Sequence, residues 1–325
     1  MRVGIDGPVT VGIDIGATKI LIGSVTRQGE IVHQTRYGID LSTESLLKSS
    51  IYHSIADYIH EHRKENLSGN IGVGVFGHVD FEQGDWLGTM RLPGMEMIRF
   101  REDLKLRYGM NVALDNDVHT AALAELHLGK GREYRHFLYV NVGTGVAAGI
   151  ISDGRLIRGA SNYAGEVGHI FVGRDMEQCM CGSSWCLESA ASGGGMINRV
   201  IRWISEYPNS RLLPLVKSGE ITTADIFKAA RQGDSLATKI HKEFIWSLGI
   251  GLVNLVNILN PEAIIMGGGV MRDGWLLKEL SSFIYQNTTG VSRRGLKEIT
   301  VTELGPQVAG LLGAACLAWD YEKTG

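Results

Sequence analysis

Cys179, Cys181 and Cys186 form C-x-C-x4-C, and His169 lies ten residues upstream of the first. Three thiolates and one imidazole complete a closed tetrahedral Cys3His shell for zinc. Such a shell leaves no position for a catalytic water, so the expected metal is structural. Three free thiols in a loop are the alternative, but cysteines rarely crowd this closely without a ligand or a bridge. A Cys179–Cys181 disulfide would close over a single residue and strain its geometry. Cys316, among Ala314, Ala315 and Leu317, reads as a core helix residue.

A second set of residues suits phosphate. Asp14-Ile15-Gly16-Ala17-Thr18-Lys19 puts a carboxylate, free backbone amides, a hydroxyl and a cation on one hairpin. Consecutive amides in a glycine turn make an anion-binding concavity, and Asp14 could hold Mg²⁺ beside phosphate oxygens. An ordinary hairpin uses the same residues. Gly143-Thr144-Gly145 is a matching turn, and two such turns can grip a nucleotide phosphate chain. Gly267-Gly268-Gly269 follows an apolar run and suits close approach to a base or ribose. Gly72-Val73-Gly74-Val75-Phe76-Gly77 fits G-x-G-x-x-G, yet a dinucleotide fingerprint needs a helix to open there. His78 to Gly84 follows and reads as a turn, so that reading is rejected.

Acidic residues complete the inventory. Asp115-Asn116-Asp117 lies between a strand and a helix; Asp117 either caps the helix or accepts a proton from a substrate hydroxyl. Glu166 and His169 are three apart, and Glu188 follows the last clustered cysteine by two. If zinc fixes that loop, His169 and Glu188 are held relative to Glu166. Carboxylates that accept hydrogen bonds from several hydroxyls are what a sugar pocket needs.

The elements that must hold these residues follow from periodicity. Val11–Ile15, Lys19–Val25 and Ile31–Thr35 read as a three-stranded meander joined by tight turns. Phe137–Val142, Val146–Ile151 and the short Leu156-Ile157 repeat it, each copy opening a domain. Ser42 or Thr43 caps a helix whose apolar face is Leu46, Leu47, Ile51, Ile55, Tyr58 and Ile59. Ile71–Phe76 and Val112–Leu114 are further strands, and a helix runs from Asp117 to Leu128 before Gly129. Ile197–Ile204 and Phe244–Leu259 are helical, the second apolar nearly all round and so buried. Asn260-Pro261 ends it, Ala263–Met266 is a buried strand, and Val308–Trp319 is a small-residue helix.

With 325 residues the chain is long enough for two domains. A net charge of −3 lacks the basic stripe of a nucleic-acid binder. No run of 18 apolar residues calls for a membrane span. Met1 to Thr10 lacks the basic start and apolar stretch of a secretory signal. Clustered cysteines in so long a chain favour metal over disulfides, and a reducing, cytoplasmic setting.

The order Asp-Ile-Gly-x-Thr-Lys, Asn-Asp, Gly-Thr-Gly, Ala-Gly-Glu-Val-Gly-His, Cys-x-Cys-Gly-x-x-x-Cys-Leu-Glu and Gly-Gly-Gly resembles the ROK family of sugar kinases and repressors. The resemblance runs from about Val11 to Ala318, and Ala164 to Ser192 is its most specific part. It implies the α/β actin-like ATPase (ribonuclease H-like) fold, two α/β domains around a cleft. The expected division is 1–117 with 306–325, and 118–305 with the zinc loop.

It further implies ATP-dependent phosphorylation of a hexose or N-acetylhexosamine at the 6-hydroxyl, with glucose the default. Asp117 would be the general base. Asn116, Glu166, His169 and Glu188 would hold the other hydroxyls. Asp14, Gly16, Thr18, Lys19, Gly143, Thr144 and Gly145 would serve MgATP phosphates, and Gly267 and Gly268 the adenosine. His169, Cys179, Cys181 and Cys186 would hold structural Zn²⁺. The protein would be a homodimer, with sugar and ATP as its small-molecule partners and neither nucleic acid nor membrane. Repressors of the family carry an added N-terminal winged helix, for which there is no room before Val11. A catalytically inactive sugar-binding sensor is the alternative. Phe76, His78, Arg91, Ala17 and Trp185 depart from the family pattern, the first three near the expected sugar site.

Overall fold

Strands β1 (Val9–Ile15), β2 (Ile20–Val25) and β3 (Ile31–Tyr37) form the first meander, and the hairpin register pairs Ile15 with Ile20. This is a computed structural model, and it describes residues 7–173, 178–272, 274–305 and 308–324. Met1 to Asp6, and Pro306 and Gln307 at the edge of the expected C-terminal piece, lie outside these.

The remaining elements, in chain order, are α1 (Glu44–Glu61), β4 (Leu67–Val75), β5 (His78–Asp80), β6 (Asp85–Gly88), α2 (Phe100–Tyr108), β7 (Asn111–Asn116) and α3 (Asp117–Leu128). Then come β8 (Phe137–Val142), β9 (Val146–Ser152), β10 (Arg155–Ile157), α4 (Leu187–Ala191), α5 (Gly193–Trp203), α6 (Leu213–Ser218) and α7 (Thr223–Arg231). The series closes with α8 (Ser235–Leu259), β11 (Ala263–Gly267), α9 (Gly274–Asn287), α10 (Gly290–Gly295), β12 (Glu298–Val301) and α11 (Ala309–Thr324).

The expected duplication is present. One sheet has the order β3-β2-β1-β4-β7 and the other β10-β9-β8-β11-β12. In each, a central strand pairs antiparallel with the next strand of its meander and parallel with the strand on its other side. The chain divides into two compact units. Unit 1 holds residues 1–133, 155–164 and 303–325; unit 2 holds 134–154 and 165–302. The expected boundary at 117/118 would sever Asp117 from its own helix. Instead α3 packs on α11 and stays in unit 1, and the excursion 155–164 joins it there.

In unit 1, α11 and α3 lie on one face of the sheet because glycines clear the way. A Cβ at Gly72 would collide with the Ala314 carbonyl of α11, and one at Gly12 with the Leu311 carbonyl. Gly72 and Gly74 are thus helix-packing positions on β4. No helix opens after Gly77, so the rejection of a dinucleotide fingerprint stands. Val79 and Asp80 pair with β6 in a small hairpin rather than forming a plain turn. Strand β4 ends at Val75, one residue short of the expected Phe76.

On the opposite face, α1 buries Leu47, Ile51, Ser54, Ile55 and Tyr58. Its cap is Thr43, whose hydroxyl accepts from the Leu46 amide at 3.2 Å. That start turns Leu46 outward, 45 % exposed, against the expectation that it joins the apolar face.

In unit 2, α8 begins at Ser235, capped by Asp234, about two and a half turns before the expected Phe244. By length and composition it could cross a membrane, but half of its apolar stretch is buried in unit 2, as in a core helix. Asn260 ends it in the left-handed conformation, φ 46°. Helix α5 likewise starts early, capped by Ser192.

Candidate functional site

The carboxylates of unit 1 sit where β1 and β7 end. Strand β7 delivers Asp115, Asn116 and Asp117 in succession, and the three take different environments. Asp115 is fully buried. Its oxygens accept from His119 Nδ1 at 2.9 Å, Arg158 Nε at 2.8 Å and Asn162 Nδ2 at 3.1 Å. Burial opposes its charge, but His119, Arg158 and Asn162 together hold its carboxyl below the usual range. The other ring nitrogen of His119 meets the Ala164 carbonyl at 2.9 Å. Asp115 therefore braces the excursion 155–164 against β7 and α3, and it is a structural residue.

Asn116, not Asp117, is the cap of α3. Its Oδ1 accepts from the Val118 amide at 2.8 Å, and its Nδ2 donates to the Gly77 carbonyl at 3.2 Å. Half of its amide capacity is thus already used, leaving one N–H and one lone pair for any hydroxyl. The same bonds tie Asn116 to the turn between Phe76 and His78, whose rings pack edge-on against Trp86 and Tyr163. Arg91 is exposed.

Asp117 is half-buried at the first position of α3. Its Oδ1 accepts from the Val118 amide at 3.0 Å, and its Oδ2 has no partner among the described residues. Burial, and then the charge of Asp14, push its pKa up to about 7. Asp14 itself is raised to about 6 by burial, with Lys19 opposing. A carboxylate poised near neutrality can take a proton at physiological pH.

Around Asp14, the Gly16 amide donates to the Lys19 carbonyl at 2.9 Å and closes the turn, leaving Thr18 exposed. Gly310, in the first turn of α11, is a residue that the motifs did not flag. A Cβ there would land 2.5 Å from the Asp14 carboxylate carbon. Its only sequence signal is a small residue near the start of a small-residue helix.

In unit 2 the Cys3His cluster forms as expected. His169, Cys179, Cys181 and Cys186 offer ligand atoms that all lie within 4.8 Å of one another. Cys179 Sγ is 3.7 Å from His169 Nδ1, and Cys181 Sγ is 3.4 Å from Cys186 Sγ. A tetrahedron with Zn–S bonds near 2.3 Å and Zn–N bonds near 2.1 Å has edges of roughly 3.6 Å, so the donor set fits zinc. All four cysteines are free. His169 turns Nδ1 to the thiols, which leaves Nε2 facing Glu166 Oε2 at 3.8 Å.

Glu188, at the second position of α4, reaches the Gly143-Thr144-Gly145 turn of this unit. Its Oε2 accepts from the Val146 amide at 3.0 Å, and its Oε1 lies 4.0 Å from Cys179 Sγ. A Cβ on Gly145 would strike that carboxylate. Glu166, His169, Glu188 and the turn Gly143-Thr144-Gly145 are therefore neighbours, as the zinc-loop argument required. The Gly143 carbonyl accepts from Gly193 at 2.8 Å, so the start of α5 fixes the turn from behind. Gly193 was not singled out from sequence.

Gly267 and Gly268 have an explanation that needs no ligand. A Cβ on the first would strike the Tyr139 ring, and one on the second, at φ 87°, the Val142 carbonyl. Both glycines allow β11 to run close to β8. Gly269 alone has open space where its Cβ would be.

The chain matches the ROK family over residues 10–321. It is 32% identical to a glucokinase of Halalkalibacterium halodurans, covering 97% of this chain and 96% of that one. It is 30% identical to an N-acetyl-D-glucosamine kinase of Aliivibrio fischeri over 87% of this chain and 91% of that one. The crystal structure of a ROK family glucokinase from Streptomyces griseus, in complex with glucose and AMPPNP, is similar at a TM-score of 0.79. It shares 29% identity and the match covers 96% of this chain and 99% of that one.

Proposed function

The chain belongs to the ROK family of actin-like fold, and from that premise we propose that it is an ATP-dependent sugar kinase acting on a hexose or N-acetylhexosamine. The similarity to a glucokinase and to an N-acetylglucosamine kinase along most of the chain supports this reaction class. The acceptor is the 6-hydroxyl, and glucose is the first sugar to test. N-acetylmannosamine, N-acetylglucosamine, allose and fructose follow.

The observation that carries the proposal is the state of Asp117. Asn116 has taken over the cap of α3, so Asp117 keeps one oxygen free with a pKa of about 7. It accepts the hydroxyl proton as the sugar oxygen bonds to the γ-phosphorus. The bond from that phosphorus to the bridging oxygen breaks, and ADP leaves with the electron pair. This proton transfer contributes roughly 10²- to 10⁴-fold; the rest is positioning and charge stabilisation.

In unit 1, Asn116 offers its spare N–H and lone pair to a neighbouring hydroxyl. Gly16, Thr18 and Lys19 receive phosphate oxygens. Mg²⁺, when bound, neutralises charge on those oxygens, and Asp14 is the residue to hold it. In unit 2, Glu166, Glu188 and the Nε2 of His169 hold sugar hydroxyls, and the turn Gly143-Thr144-Gly145 receives phosphate. Gly267 and Gly268 lie on the adenosine side. Zn²⁺ on His169, Cys179, Cys181 and Cys186 is structural and keeps the loop that carries these residues in one shape. A cytoplasmic homodimer completes the proposal.

The test is a coupled ADP-release assay over a panel of hexoses and N-acetylhexosamines, with Asp117→Asn as control. Sugar-dependent release that the variant lacks is the expected result. Silence across the panel, with sugar still raising the melting temperature, would replace the kinase with a sugar-binding sensor.

A further inference from the structure

We propose that His33, His62 and Glu65 of unit 1 form a second metal site, one for a divalent transition metal such as Zn²⁺. The inference is independent of the kinase reading. His33 stands in β3, His62 is the C-cap of α1, and Glu65 lies in the turn leading to β4. One ligand atom from each lies within 4.8 Å of the others.

Glu65 Oε1 is the centre of the group. It is 2.6 Å from His62 Nδ1 and 3.2 Å from His33 Nε2. His62 hydrogen-bonds this oxygen, and His33, from another element, comes within ion-pair distance of the same oxygen, so two imidazole nitrogens and one carboxylate oxygen converge. In a tetrahedral zinc centre with bonds of about 2.0–2.1 Å, ligand atoms stand roughly 3.4 Å apart. The His33 edge is already there, and the His62 edge has to open by less than about 1 Å, a small side-chain rotation. The two rings lie 4.9 Å apart between centroids, tilted by 33°.

The surroundings have the character of an outer shell. Glu65 Oε2 accepts from Ser24 Oγ at 2.8 Å, and that hydroxyl meets the Tyr58 hydroxyl at 2.9 Å. Ser24 and Tyr58 are both fully buried. A carboxylate held through one oxygen by buried hydroxyls, with its other oxygen turned to two imidazoles, is oriented as ligating carboxylates are. The backbone is set too. The His62 amide donates to Tyr58 at 3.1 Å, and the Glu65 amide to His62 at 2.9 Å.

The donor chemistry selects the metal. Two imidazoles and a carboxylate suit Zn²⁺, Ni²⁺, Co²⁺ or Cu²⁺. No thiolate takes part, which separates this site from the Cys3His cluster. Three protein ligands leave a fourth position for water or a small anion.

The experiment uses the full chain, first loaded with zinc at the cysteine cluster. Zinc per chain is then measured by elemental analysis after equilibrium dialysis, and Zn²⁺ binding by calorimetry. The wild type is expected to hold two zinc ions, and His33→Ala/His62→Ala one, with kinase activity unchanged. Ser24→Ala is expected to bind the second zinc about 10–100-fold more weakly. Cobalt replacement assigns the sites. The double variant should lose only visible absorption that has no thiolate charge-transfer band. Glu65→Gln, similar in volume, is the second variant should the double one fail to fold. A wild type that holds one zinc, or variants that still hold two, overturns the proposal.

Discussion

Replacing Asp117 by Asn should cut activity sharply and make the protein more stable, by an amount that depends on pH. An unfolded aspartate titrates near 3.8, and the folded Asp117 near 7. The folded chain therefore binds this proton more tightly than the unfolded one. The resulting cost is nearly absent below pH 3.8 and reaches its full value above pH 7. At pH 8 the shift corresponds to about 4 kcal/mol as an upper value, and at pH 4 to about 0.6 kcal/mol. Water reaching the half-buried carboxylate reduces the first figure, to roughly 2 kcal/mol at the lower end. Asparagine keeps the shape and removes the charge. At about 2.1 cal/mol/K of unfolding entropy per residue, and if both units melt together, the gain is roughly 3–6 °C at pH 8 and under about 1 °C at pH 4. Thermal melts of both proteins at pH 4, 6 and 8 check this, beside a fall in kcat of roughly 10²-fold or more. A variant whose advantage does not grow with pH, or that is less stable at pH 8, would refute the argument that Asp117 is held strained for proton transfer.

The free enzyme must carry Asp117 ionised, so kcat/KM for the sugar should fall tenfold per unit as pH drops below about 7. A profile flat down to pH 5 would show that burial does not raise this group. Cys181→Ser should reduce zinc retention and lower the melting temperature, and it should raise KM for sugar more than it lowers kcat. Zinc analysis and steady-state kinetics decide between that and a purely structural loss. Arg158→Ala leaves buried Asp115 with His119 and Asn162 but without the guanidinium, and should destabilise the fold by about 1.5–3 kcal/mol in urea denaturation. Gly72→Ala, which drives a methyl into the Ala314 carbonyl, should cost about 1–3 kcal/mol in the same measurement.

Much of this was legible from the sequence because chemistry and local geometry coincide. The spacing of Cys179, Cys181, Cys186 and His169 specifies a shell by itself. Both meanders announce themselves through glycine turns between apolar runs. What was hidden depends on tertiary packing. Asp115 and Asp117 look alike in sequence, and only the arrival of His119, Arg158 and Asn162 makes one a brace and leaves the other free. Gly310 gains meaning only when α11 packs beside β1. Helix α7 could have been read, since Thr222 and Asp225 form a capping box. Helix α2 carries few apolar residues and ends at Gly109, so its periodicity is weak.

The placement of α11 has a consequence for how the chain is made. It covers the face of the unit 1 sheet where Gly12 and Gly72 lie, yet it is synthesised after every other element of the two units. Roughly 180 residues separate the end of α3 from its start. At about 5–20 residues per second, the nascent sheet waits roughly 10–40 s with that face uncovered. Unit 2, all of it synthesised before α11, can complete its core first. The unit whose synthesis begins first is thus the later of the two to have all its elements, and the half that carries Asp117 can close its core only once α11 has been made.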